Sequence, residues 1–210
     1  MNFSLFIFLT TLASSYGACP TVNTVENFNL SEYVRERWYI QKQQVTSYLP
    51  KSTNYCVSAR YQISNTTVPF YSGTVLNVYN NARLDSVNGQ YLNSNNMTLC
   101  AREPHSSNSS KLLVAPCFIP NLFAGDYWVV DTGPSSNNYE WAIVSGGQPH
   151  EQYCDGCTTK QDSMNNAGLW LFTREQVPPD SLVTMMLSRL RSKGFTTEFL
   201  NNVTQAGCVY

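Results

Sequence analysis

Eight short segments of this chain are rich in β-branched and aromatic residues, and each ends at a polar turn. Asn54 to Ser64 is the clearest. Tyr55, Val57, Ala59, Tyr61 and Ile63 alternate there with Cys56, Ser58, Arg60 and Gln62. Alternation of this kind is the period of a strand with one buried face. Gly73 to Asn80 sets Val75, Asn77 and Tyr79 against Thr74, Leu76 and Val78. The other segments are Trp38 to Tyr48, Tyr91 to Arg102, Lys111 to Phe118, Asp126 to Thr132, Tyr139 to Ser145 and Gly168 to Arg174. Asn88-Gly89 is a tight-turn dipeptide. Eight strands joined by short turns must hide their edges, which predicts a sandwich or an up-and-down barrel.

One helix is expected late in the chain. Pro178 and Pro179 stand at its start, with Asp180 and Ser181 as cap groups. Leu182, Val183, Met186, Leu187 and Leu190 form one apolar stripe. Arg189, Arg191 and Lys193 fall in the last turn, and Gly194 is the stop.

The first segment reads as a targeting signal. Phe3 to Leu12 is an apolar run broken only by Ser4 and two Thr, and Ala13, Ser14, Ser15 and Gly17 follow it. That is the h-region and small-residue site of a signal peptide over residues 1–17, too short to span a bilayer. A single domain over 18–210 is expected after it. All seven cysteines (Cys19, Cys56, Cys100, Cys117, Cys154, Cys157 and Cys208) lie in that part. An oxidising compartment would join them in up to three disulfides with one left over. Acceptor sequons for glycosylation begin at Asn29, Asn65, Asn96, Asn108 and Asn202. A secreted glycoprotein is the expectation.

Charge narrows the partners. The net charge is −1 and only 13 % of residues are charged. Such a surface gives no electrostatic reason to bind nucleic acid or an anionic membrane, and no stable membrane insertion is expected. No oligomeric state follows from the sequence. His105 and His150 are isolated, and no nucleophile elbow, P-loop or dinucleotide fingerprint occurs. Neither catalytic residues nor a metal site is expected. Cys154-Asp155-Gly156-Cys157 lacks a partner pair that would make it a zinc or redox motif.

Three blocks in order resemble the lipocalin family. The first is Asn27 to Ile40, ending Arg35-Glu36-Arg37-Trp38-Tyr39-Ile40. The second is Tyr127-Trp128-Val129-Val130-Asp131-Thr132 with Tyr139-Glu140-Trp141-Ala142-Ile143-Val144. The third is Leu169-Trp170-Leu171-Phe172-Thr173-Arg174. Helix, Gly194-Phe195 exit and trailing Cys208 complete the pattern, which is most similar to apolipoprotein D-like members. The chain departs from it in three places. The usual Gly before Trp38 is missing, the second block ends Asp131-Thr132-Gly133-Pro134, and Gly146 to Ala167 is long.

The resemblance implies an all-β fold: an eight-stranded up-and-down antiparallel barrel, opened by an N-terminal 3-10 turn, with a C-terminal α-helix packed outside. A barrel of eight strands is just wide enough to hold one small ligand, and lipocalins are a standing example. Trp38 and Arg174 would close its base as a cation–π pair. Alternation offers Tyr61, Ile63, Asn77, Tyr79, Tyr127, Val129, Tyr139, Trp141, Trp170 and Phe172 as candidate ligand-binding residues. The resemblance pairs Cys56 with Cys208 and Cys19 with Cys154 or Cys157. Hairpin register alone offers Cys100 with Cys117.

The function this implies is a secreted carrier of one small hydrophobic ligand: a lipid, sterol, retinoid, carotenoid or tetrapyrrole. No essential cofactor is implied, although a carotenoid, bilin or lipid could be bound. Two alternatives remain open. One is an isomerase or epoxide-processing enzyme using a cavity Cys100, and the other is an interaction module acting through its loops.

Overall fold

A computed structural model describes residues 18–93, 98–104 and 108–210. The expected signal peptide, the Asn96 sequon and His105 lie outside the described residues.

Twelve strands form among the described residues. They are β1 (Trp38–Gln44), β2 (Tyr55–Ser64), β3 (Val75–Arg83), β4 (Tyr91–Asn93), β5 (Leu99–Arg102), β6 (Lys111–Pro116), β7 (Gly125–Ser135), β8 (Asn138–Ser145), β9 (Glu151–Tyr153), β10 (Gly156–Thr158), β11 (Leu169–Thr173) and β12 (Leu200–Asn202). Eight of them pair antiparallel in the order β11-β8-β7-β6-β5-β3-β2-β1, and β1 pairs back onto β11 to close the barrel. The expected single strand from Tyr91 to Arg102 is instead two, β4 and β5, which both pair with β3.

The barrel's closure is uneven between β1 and β2. They pair only at Trp38↔Ala59 and Tyr39↔Ser58. Beyond that point β12 lies along β1 through Lys42↔Asn202 to Gln44↔Leu200. The buried Gln205 amide donates to both Ile40 O (2.8 Å) and Val57 O (2.7 Å), filling the gap where the strands part. The C-terminal tail is therefore part of the barrel wall.

Two large apolar clusters among the described residues organise the fold, beside a small third around Val68, Val75 and Cys100. One fills the closed end around Tyr33, Trp38, Ile40, Tyr61, Leu76 and Phe172. The other lies outside, where α2 (Asp180–Ser192) covers β7, β8 and β11 through Met186 and Leu190. The expected stripe is the face that docks. Pro179 takes the N-cap position and no side chain caps the helix, so Asp180 and Ser181 do not serve as caps. Asp131 receives both Arg189 Nε (2.8 Å) and Nη2 (3.1 Å), a bidentate tie from helix to wall. Gly194 ends the helix at φ +86°, with Pro20 too close for a Cβ.

The N-terminal turn is α-helical, not 3-10. In α1 (Leu30–Val34) the Tyr33 amide reaches four residues back to Asn29 O at 3.0 Å. The Asn29 side chain caps it by accepting from the Glu32 amide, which favours a full α turn.

Three disulfides join Cys19–Cys157, Cys56–Cys208 and Cys100–Cys117. Cys157, not Cys154, takes Cys19. The long segment after β8 folds into the β9–β10 hairpin, and Cys157 also bridges Phe195 in parallel. The extra length thus anchors both the N-terminus and the helix exit.

Candidate functional site: the barrel cavity

The strand ends sort the barrel into a shut end and an open one. At the shut end α1 crosses beneath Trp38. Arg174 follows β11 there and places its guanidinium 3.5 Å from the Trp38 ring centre. All five of its N–H groups are used, and every acceptor is a backbone carbonyl. Nε donates to Tyr139 O, Nη1 to Glu36 O and Arg37 O, and Nη2 to Glu32 O and Tyr33 O. Trp38 Nε1 donates to Tyr33 O at 2.9 Å. Burial pulls Arg174 down to about 10, which leaves it charged at neutral pH.

Above this floor lies a cavity of about 710 Å³. That volume falls within the range of small-molecule sites. Its wall is mostly apolar, including Ile40, Val57, Ala59, Val78, Leu99 and Val114. Leu49, Thr53, Ile119, Phe123 and Met164, between the strands, and Leu92 on β4 lie at the opposite end, where the cavity meets solvent. Phe123 and Met164 are exposed there at 64 % and 73 %.

Of the residues proposed from alternation, Tyr61, Tyr127, Trp170 and Phe172 line this cavity. Val129 and Tyr139 point inward but belong to the packed closed end, where the Tyr139 hydroxyl accepts from the Asn29 amide. The remaining four lie outside. Ile63 shares a face with Tyr61, but near the end of β2 it has run past the wall and is 57 % exposed.

Asn77 and Tyr79 sit on the outer face. Across an antiparallel pair, facing residues share a side. Tyr61 faces Val78, while Gln62 faces Asn77 and Arg60 faces Tyr79. The apolar set Leu76 and Val78 marks the inside of β3. Trp141 packs under α2. The register slips between Gly133↔Trp141 and Pro134↔Tyr139, so Glu140 is an extra residue that turns Trp141 outward while Tyr139 stays in.

Sequence reading missed other wall residues. Gln43 enters because a similar slip between Ile40 and Lys42 returns it to the inside, and Asn80 follows from the correct parity of β3. Tyr33 was also missed. Its hydroxyl shares a 2.6 Å hydrogen bond with Tyr127, which shares one of 2.7 Å with Tyr61. The three hydroxyls cluster at the closed end, and Tyr61 and Tyr127 also line the cavity.

Burial pushes all three phenols above their ordinary range. Tyr48, also on the wall, is pushed up to about 12 by burial and donates to Ala167 O at 2.9 Å. The folded chain keeps these protons where the unfolded chain loses them. Their contribution to stability is complete below the unfolded value of 10.0 and is lost as pH rises through the folded values. Stability to urea should therefore fall steadily above about pH 10. Tyrosinate absorbance should lag that of the urea-unfolded chain, and coincident titration curves would contradict the arrangement.

Among the described residues no cysteine lines the cavity. Cys100 faces outward, in its disulfide with Cys117. No group of three or more His, Cys, Asp or Glu is placed to hold a metal among the described residues. No helix of theirs is long and apolar enough to cross a membrane. Asn65 and Asn202 are exposed, the latter with its side-chain oxygen accepting from Lys42 Nζ, while Asn29 and Asn108 are half-buried with theirs engaged.

No family model matches the sequence. Apolipoprotein D of Mus musculus is 24 % identical over 98 % of this chain and 97 % of that protein. Among solved structures, insecticyanin from the tobacco hornworm Manduca sexta aligns at 17 % identity and a TM-score of 0.56, over 92 % of this chain and 90 % of that one. Lobster apocrustacyanin A1 aligns at 14 % and 0.55, over 85 % and 81 %. The amine binding protein of Rhodnius prolixus, solved as its tryptamine complex, aligns at 14 % and 0.52, over 92 % and 91 %.

Proposed function

Taking as premise that the chain is a homologue of apolipoprotein D with the lipocalin fold, we propose that it is an exported carrier of one small hydrophobic molecule held inside the barrel. The observation that carries this reading is the 710 Å³ cavity, walled mostly by apolar side chains and shut at one end. Burying several hundred Å² of an apolar guest stabilises the complex by ~25 cal/mol per Å² before the costs of association. A lipid, sterol, retinoid, carotenoid or bilin is of the right character.

Export is supported by the three disulfides and the apolar leader, and we assign residues 1–17 to a signal peptide. Asn65 and Asn202 are the sequons best placed to carry glycans. The enzymatic alternative asked for a cavity thiol at Cys100, which instead lies outside the barrel in a disulfide. A purely loop-mediated role asked for a barrel packed solid, and this one is hollow.

The test is solvent extraction of natively purified protein followed by mass spectrometry. A guest recovered in near-equal amount with the chain is expected. Val78→Trp, which fills the wall opposite Tyr61, should lower guest recovery at least tenfold while circular dichroism stays that of the wild type. Equal recovery from both proteins would overturn the internal site.

A further inference from the structure

We infer that the cavity floor is built for an uncharged hydrogen-bonding head group, an alcohol or ketone oxygen on an elongated apolar body, held by the hydroxyls of Tyr61 and Tyr127. This deepens the carrier reading and rests on it.

The floor has hydrogen-bonding capacity to spare. Three phenols bring three protons and six lone pairs. The contacts of 2.6 and 2.7 Å through Tyr127 use two protons and two lone pairs. The third proton is engaged only if Tyr33 and Tyr61 turn toward each other. At least three lone pairs stay open in either arrangement. An alcohol, which donates and accepts at one atom, matches this set.

Charge is excluded by what surrounds the floor. Asp126 is the one Asp, Glu, Lys or Arg among the described residues that line the cavity. It alternates with the inward Tyr127, and its carboxylate lies against Gly147 near Lys111, on the outer side of the strand. The cation nearest the tyrosines is Arg174, below the floor, and backbone carbonyls take every N–H it has. A carboxylate head would be buried with no free N–H of Arg174 to pair with it, only the field of a cation already held by carbonyls, and an ammonium head would meet Arg174 and no carboxylate.

Two retinoids with one body and different heads test this. Retinol and retinoate are titrated into the mature protein at neutral pH, following quenching of tryptophan fluorescence, with Trp170 on the wall. Retinol should bind at least tenfold more tightly than retinoate. Tyr61→Phe and Tyr127→Phe should each weaken retinol about tenfold, as loss of a buried hydrogen bond does, and change retinoate less than twofold. The same order should hold for hexadecanol against hexadecanoate.

Equal affinity for alcohol and acid, or Phe variants that leave retinol binding unchanged, would overturn the head-group assignment and leave the carrier standing. Failure of both retinol and hexadecanol to bind the wild type would overturn the carrier reading itself. The wild-type affinity ratio decides the matter even if a Phe variant misfolds.

Discussion

Replacing Cys56 and Cys208 together by alanine is expected to destabilise the mature protein by about 4–5 kcal/mol in urea, close to the whole stability of many domains. The two cysteines are 152 residues apart, so the bond closes most of the chain into one loop. In the chain-entropy description a loop of that length restrains the unfolded state by about 5 kcal/mol. The hairpin bond Cys100–Cys117 closes only 17 residues and should contribute about 3 kcal/mol.

A native-state effect acts in the same direction and keeps the loss at the upper end of that range. Cys208 pins the tail that places Gln205 between β1 and β2, and Gln176 donates to both Gln205 O and Cys208 O at 2.9 Å. Freeing the tail loosens the barrel where β1 and β2 already part. The expected order of loss is therefore Cys56/Cys208 above Cys100/Cys117. A hairpin variant that loses as much, or a tail variant that loses under about 1 kcal/mol, would contradict this account.

The strands that could be read from sequence were those with one plainly apolar face. β2 gave Ala59 and Tyr61 correctly because Arg60 and Gln62, which alternate with them, stay exposed. β11 gave Trp170 and Phe172 because no bulge interrupts its pairing with β8. The errors have two sources.

In β3 the segment Val75-Leu76-Asn77-Val78-Tyr79 is apolar on both faces, since a loop covers its outer side around Val68, Val75 and Cys100. Alternation then has no contrast to read, and only the partner strand decides. In β8 the extra residue Glu140 reverses the parity between Tyr139 and Trp141, and a bulge carries no sequence signature of its own here. The tyrosine cluster was hidden for a third reason: Tyr33 comes from a helix, Tyr61 from β2 and Tyr127 from β7, and only closure of the barrel brings them together.

Closure also concentrates stability in one pair, so Trp38→Ala should cost about 3–5 kcal/mol, the usual range for a fully buried Trp. Trp38 is 0 % exposed and touches Tyr33 at 5.2 Å and Phe172 at 6.1 Å between ring centres. Its removal empties the space under the cavity floor and takes away the surface on which Arg174 lies. Arg174 still has its five carbonyls, so the variant should fold but with a softened base.

Arg174→Ala acts from the other side. It takes a donor from the carbonyls of Glu32, Tyr33, Glu36, Arg37 and Tyr139, which join α1, the turn into β1 and the start of β8. Lysine cannot repair this, since one ammonium cannot reach a fan of five acceptors. In a double-mutant cycle the two alanine variants should fall short of additivity by about 0.5–2 kcal/mol, the size of a dry cation–π contact. Strict additivity would mean that the stacked geometry contributes nothing. The guest should report the same event, because a base open to water wets the tyrosine floor. In both variants retinol affinity should drop along with urea stability, whereas a disulfide variant that stays folded should keep it.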